Sequence, residues 1–221
     1  MKFYRDHAWP LTLEEAIVIQ ETLQNQVITE DRLQEPIQYV AGVDMGFEAD
    51  GTISRAAVAV LSFPDLQVIE TSLAYRPTIF PYVPGFLSFR EIPAVLDALE
   101  KIQTTPDIIL CDGQGIAHPR RLGIASHLGL LIDMPTIGVA KSRLIGKHEE
   151  LAQTKGSTQP LIYNGETIGA VLRSRTGVKP LYISSGHRIS LPTAIDYVLR
   201  CTPKYRLPET TRIADKLASD R

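Results

Sequence analysis

Cysteine is scarce in this 221-residue chain: Cys111 and Cys201 are the only two, and they lie far apart. That is no disulfide framework, and free thiols in a reducing cytoplasm are the expected state. No CxxC pair and no HExxH motif occurs, so zinc chemistry lacks its usual ligands; His118, followed by Pro119 and two arginines, does not supply them. No run approaches the roughly 18 consecutive apolar residues of a membrane helix. The first stretch, MKFYRDHAWPLTLEEA, has no apolar core of a secretory signal, so none is expected. Internal repeats and low-complexity tracts are missing too. What remains is ordinary globular usage, 44% hydrophobic and 22% charged, enough for a real core. One domain over residues 1–221 is expected.

The net charge of −2 conceals an asymmetry. Residues 1–50 hold 3 Lys+Arg against 10 Asp+Glu, and the remaining residues hold 20 against 15. The basic remainder suits a face for a polyanion, or simply solvated surface of mixed sign.

Thr12-Leu-Glu-Glu15 fits a capping box, and Ala16, Ile19, Leu23 and Val27 follow at helical spacing. This predicts an N-terminal helix over about 12–28. Strands follow at 39–47, 56–63 and 66–75, joined by short turns that favour an antiparallel meander. Helices at 92–102 and 123–132 alternate with strands at 107–113 and 135–141, a parallel crossover pattern. Asn164-Gly165 marks a hairpin, and two helices near 193–201 and 208–218 close the chain. The order is α/β with a mixed central sheet, an antiparallel meander and then parallel strands, flanked by helices. It is that of the ribonuclease H-like architecture.

Two aspartates stand where charge is costly. Asp44 lies in YVAGVDMGF and Asp112 follows DIILC. A charge in a buried strand needs a partner or a metal, although each residue also fits the plainer role of ending a strand. If the two strands are parallel neighbours, both carboxylates meet at one end of the sheet, where such sheets bind ligands. Two close carboxylates repel unless a cation sits between them. All-oxygen ligation suits Mg²⁺, with Mn²⁺ as a substitute. Glu91, opening the next helix, offers a third oxygen or simply a helix-start acid. Lys141 closes PTIGVAK and can stabilise a phosphate. Carboxylate-held metal near a substrate phosphate means phosphodiester hydrolysis. Basic tracks at His118, Arg120 and Arg121, and at Arg173, Arg175 and Lys179, suit a nucleic-acid backbone.

PYVPGFLSFRE, residues 81–91, is both stiff and apolar, which is unusual for a loop. Together with YVAGVDMGF, CDGQGIAHPRRLG, PTIGVAKSRLIGK, SGHRISL and YRLPETTRIAD, it resembles the endonuclease V family over nearly the whole chain. The resemblance implies a ribonuclease H-like, Mg²⁺-dependent nuclease that recognises deaminated bases, chiefly hypoxanthine. Such an enzyme cuts the second phosphodiester bond 3′ to the lesion, leaving 3′-hydroxyl and 5′-phosphate ends. It implies Asp44 and Asp112 as metal ligands, Glu91 as third catalytic carboxylate and Lys141 as supporting cation. Asp215 stands where some relatives carry His and others Asp, and is implied to complete the metal shell. Tyr82 becomes a wedge stiffened by Pro81 and Pro84, with Val83 and Gly85 beside it. Phe86, Leu87 and Phe89 root the loop in the core. Gly85, Gly113 and Gly115 let backbone approach the flipped base. Gln114 replaces the His or Asn of relatives at the pocket edge. DNA with deaminated bases is the implied partner, and a monomer is expected. The alternatives are another ribonuclease H-like metal nuclease, a non-catalytic nucleic-acid module, a small-phosphate hydrolase and a ribonuclease for inosine RNA.

Overall fold

The computed structural model describes residues 7–219; the terminal residues of the expected 1–221 domain lie outside them. Eight strands form one sheet: β1 (Tyr39–Glu48), β2 (Ile53–Ser62), β3 (Val68–Pro77), β4 (Ile108–Cys111), β5 (Thr136–Ala140), β6 (Thr158–Tyr163), β7 (Glu166–Leu172) and β8 (Leu181–His187). Their order across the sheet is β3-β2-β1-β4-β5-β8-β7-β6. The meander is as expected, with β1, β2 and β3 antiparallel. β4 lies parallel to β1, and β5 parallel to β4.

The parallel run ends with β5, within the mixed sheet that was expected. β8 returns antiparallel beside β5, and the β6–β7 hairpin adds outside it. Asn164 and Gly165 turn that hairpin with φ of 53° and 81°, the left-handed conformations a tight two-residue turn needs.

Among the described residues there are five α-helices: α1 (Leu13–Leu23), α2 (Leu87–Leu99), α3 (Ile124–Ile132), α4 (Leu191–Arg200) and α5 (Glu209–Ser219). The last four pack on the sheet, and α1 lies against Phe80, Phe86 and Phe89. The capping box on α1 forms as expected, with the Glu15 N–H donating to the Thr12 hydroxyl. The helix is shorter than 12–28, however. A single tight turn over Gln24–Gln26 ends it, and Val27 is already extended. α2 starts at Leu87, well before the expected 92, so Pro93 lies inside it. The buried row Phe89, Ile92 and Val95 continues the helical face through the proline. Among the described residues no helix is long and apolar enough to cross a membrane.

The period of two in β1 sorts the two cores. Ala41 and Val43 pack with Ile92 and Val95 of α2 and with Ala125 and Leu128 of α3. Val40, on the opposite face, joins Leu110, Val139 and Val198 of α4. Gly42 and Gly46 share that second face, and α5 lies directly on them. A Cβ on Gly42 would fall 2.2 Å from the Thr210 carbonyl, and one on Gly46 would fall 2.1 Å from the Ala218 carbonyl oxygen. Asp44 sits between the two glycines, under the stretch of α5 that carries Asp215.

This packing gives a test. Gly42→Ala should cost about 1–3 kcal/mol, as overpacking does, and lower the thermal midpoint accordingly. An unchanged melt would show that α5 does not ride on bare backbone.

Candidate active site

Parallel pairing matches Val43 with Cys111, so the next residues come side by side: Asp44 in the middle of β1, which runs on past it, and Asp112 just beyond the end of β4. The Asp112 N–H donates to the Val43 carbonyl at 3.2 Å. α5 brings Asp215 to the same place, and one carboxylate oxygen of each of these three residues lies within 4.8 Å of the other two. Lys141, just past β5, bridges two of them. Its Nζ is 2.5 Å from Asp112 Oδ2 and 2.9 Å from Asp215 Oδ1.

The charges are tuned by burial and by each other. Desolvation, then the neighbouring Asp112, pushes the Asp44 carboxyl up to about 8. Burial raises Asp112 too, against the pull of Lys141. Lys141 is held above the ordinary lysine range by Asp112 and Asp215. Three oxygen donors with no thiol or imidazole among them, charged groups crowded together and partly desolvated, fit a hard divalent cation.

Glu91 stands apart from that trio. It belongs to the second turn of α2, not to its start, and approaches from the other layer of the sheet. Only 7% exposed, it has a pKa raised by burial, then by Asp44 and Asp112. The expected third ligand is thus a close neighbour of the cluster, and Asp215 occupies the third corner. Cys111 is fully buried on the α2 side, and both cysteines are free. Burial pushes the Cys201 thiol up to about 12 and the Cys111 thiol higher, which suits packing and not nucleophilic work.

The stiff loop is built as its sequence suggests. Phe86 N–H donates to the Val83 carbonyl, and Gly85 has a φ of 84°. That is a type II turn, with Pro84 and Gly85 at the positions favouring those residues. Tyr82 is 69% exposed at its tip. Phe86 and Phe89 pack with Phe80 and Ala16, and Val83 joins them. Leu87 does not root the loop as expected; it lines a cavity of about 340 Å³. Tyr82, Pro84, Gly85, Gly113 and Gln114 also line it, as do Asp112 and Lys141. One space therefore touches the loop and the acid cluster. Gly115 is not on its wall. An added Cβ there would lie 2.0 Å from the Ser185 carbonyl oxygen, so packing on β8 explains that glycine.

The basic tracks need correction. His118 is 2% exposed. Its Nε2 meets the Gly85 carbonyl at 2.9 Å and its Nδ1 accepts from the Arg120 N–H, which fixes the neutral tautomer. Burial pushes its pKa down to about 4. Arg120 lies over the Phe86 ring and also donates to Gly85, while Arg121 pairs with Glu166 at 2.8 Å. These residues hold the loop and the fold instead of reaching out. Arg173 is buried and donates to the carbonyls of Leu151, Ala152 and Val178; Arg175 and Lys179 stay exposed.

Two residues escaped the sequence reading. Arg206 donates to the carbonyls of Lys141, Lys179 and Pro180, pinning the backbone that presents the lysine. Gln20, in the middle of α1, is fully buried. An arginine beside LPETTRIAD gave no spacing signal, but a glutamine on the Ala16 face of an amphipathic helix did. Gln114 Nε2 donates to the Ser142 carbonyl at 3.0 Å, tying the cavity wall to the segment after Lys141.

Known proteins point the same way. A family model described as Endonuclease V matches residues 21–216. An Endonuclease V of Nostoc punctiforme is 93% identical over 219 residues, 99% of either chain. The crystal structure of Endonuclease V from Streptomyces avermitilis superposes with a TM-score of 0.91 at 44% identity, covering 96% of this chain and 94% of that one. Endonuclease V of Ciona intestinalis, solved with a 24mer DNA containing an inosine followed by a ribo-adenosine, gives 0.83 at 30% identity, over 94% and 96%. The ribonuclease H-like expectation for the fold is borne out by these likenesses.

The raised Asp44 carboxyl makes a pH prediction. Its folded pKa, about 8, lies above the ordinary 3.8. Between those values the folded state holds a proton that the unfolded state has lost. Without a divalent cation, stability should fall as pH rises through that window. Asp44→Asn should weaken that fall, and added Mg²⁺ should raise the wild-type melt more than the variant's. Melts in chelator and in Mg²⁺ at pH 5 and pH 8 check this. Identical pH slopes for the two proteins would overturn it.

Proposed function

The chain belongs to the endonuclease V family, and from that premise we propose that it is a Mg²⁺-dependent endonuclease of DNA repair. It recognises deaminated bases, chiefly hypoxanthine in deoxyinosine, and hydrolyses the second phosphodiester bond 3′ to the lesion, leaving 3′-hydroxyl and 5′-phosphate ends. It acts as a one-domain monomer, all of whose site residues come from one chain, in the cytoplasm, where two free thiols persist.

The observation that carries this reading is the shared cavity. A pocket bounded by Tyr82, Gly85 and Gly113 on one side and by Asp112 and Lys141 on another suits an enzyme that inspects a base beside the bond it cuts. Tyr82 enters the stack that the base leaves, and the Pro-Gly turn orders the loop beforehand, so less conformational entropy is lost on binding. Backbone donors and acceptors near Gly85 and Gly113 read the O6 and N1–H of hypoxanthine, which adenine lacks.

Asp44, Asp112 and Asp215 are the groups that would hold Mg²⁺ or Mn²⁺, which supplies charge for the phosphate and lowers the pKa of the attacking water. Lys141, between Asp112 and Asp215, is the cation that follows the phosphate charge through the transition state. Glu91, buried behind Asp44, is a catalytic carboxylate that can hold a proton while the outer acids carry charge. The ribo-adenosine beside the inosine in the Ciona complex keeps inosine RNA as a second substrate.

Asp112→Ala should abolish nicking of a deoxyinosine oligonucleotide, a loss beyond the roughly 10–100-fold of an outer partner, while gel-shift binding largely survives. Normal nicking by the folded variant would sink the site assignment. The same assay on matched deoxyinosine DNA and inosine RNA ranks the two substrates.

Tyr82→Ala should weaken duplex nicking roughly tenfold, in line with about 1–3 kcal/mol of base–aromatic stacking. Single-stranded substrate should suffer less, because its base is already unstacked. Equal losses on both, at one salt concentration, would mean that Tyr82 does not act as a wedge.

A further inference from the structure

α1 carries a polar residue where a core residue belongs. Gln20 is fully buried, and both ends of its amide are used. Nε2 donates to the Gly85 carbonyl at 2.9 Å, and Oε1 accepts from Arg120 Nε at 2.5 Å. The partners fix the amide's orientation. Turned over, it would set oxygen against a carbonyl and NH₂ against a guanidinium.

The carbonyl it holds lies at the base of the Tyr82 loop, and His118 and Arg120 converge on the same oxygen. The Pro-Gly turn fixes the loop's inner shape but not its angle to the sheet. That angle depends on what grips the turn from outside. His118 and Arg120 grip it from the segment after β4, and Gln20 grips it from α1. We propose that Gln20 is a positioning residue for the wedge, setting the pose in which Tyr82 meets the duplex. The inference rests on the reading of that loop as a duplex wedge.

A merely structural role would be indifferent to the form of the DNA. A pose-setting role is not, since only a duplex must be opened. Gln20→Met keeps the length and removes both bonds. Gln20→Glu keeps a partner for Arg120 and puts an acceptor against the Gly85 carbonyl. In both variants the ratio of duplex to single-stranded deoxyinosine nicking should fall about fivefold. The loss should appear mainly in KM, and placing the deoxyinosine in an unpaired bubble should restore the ratio. Met and Glu strain the fold differently, so a thermal melt of each identifies a variant that has only lost stability.

Tyr82→Ala is run beside them. If it shows no duplex-selective loss, the wedge reading fails and takes the inference with it. If it shows that loss while both Gln20 variants keep the wild-type ratio, or lose both activities equally, the inference alone is overturned.

Discussion

Carboxylates crowded side by side on two parallel strands set the terms for the rest of this molecule. Asp44 and Asp112 are brought together by backbone pairing, which supplies no charge to oppose their repulsion. Lys141 answers part of it from β5, and Arg206 holds the backbone from which that lysine extends. Asp215 then adds a third acid, which makes sense only if further positive charge arrives. Within 4.8 Å and in partly desolvated surroundings, repulsion between unit charges is a matter of kcal/mol, not tenths. The raised pKa values of Asp44, Asp112 and Glu91 are the record of that conflict. A marginally stable protein keeps such a cluster when the cluster does work.

How the third acid arrives is a matter of small residues. A helix with ordinary side chains beneath it is held off a sheet by them. α5 comes closer because Gly42 and Gly46 have nothing to put in its way. The motif GVDMG is therefore two things at once: an acid, and the bare backbone on either side that lets a helix lean over it. The strand itself, short and apolar, was legible from composition. The glycines' purpose was not, since glycine in a strand equally marks a bulge or a bend.

The same division runs through the chain. Legible were features with a local cause: the capping box at Thr12, the Asn164-Gly165 turn, the meander and the two aspartates set among apolar strand residues. Illegible were polar side chains whose partners lie far along the chain. Arg173 and His118 read as exposed bases because such residues usually are. Each is instead buried against carbonyls of loops that leave the sheet, groups that must be paired once water is excluded. Gln20 belongs to this class, with its carbonyl 65 residues away. The place of β8 in the sheet was not legible for a related reason. Strand order is decided by which edge remains open after β5, and periodicity within a strand does not encode it.

The loop and the acids are also mechanically one piece. α2 begins at Leu87, directly after the Pro-Gly turn, and within its first turns Ser88 faces the cavity while Glu91 reaches toward Asp44 and Asp112. Tyr82 and Glu91 are thus joined by a stiff turn and a rigid helix, with no flexible segment between them. The helix end is anchored by its buried face, Ile92, Val95 and Leu99, so the acid stays in place and the end that carries Tyr82 is what needs holding. Three side chains from two segments do so at the Gly85 carbonyl. Preorganisation of this kind spares ordering entropy at the moment of binding. It also bears on chemistry, where a misplacement of about 1 Å can cost a hundredfold in rate.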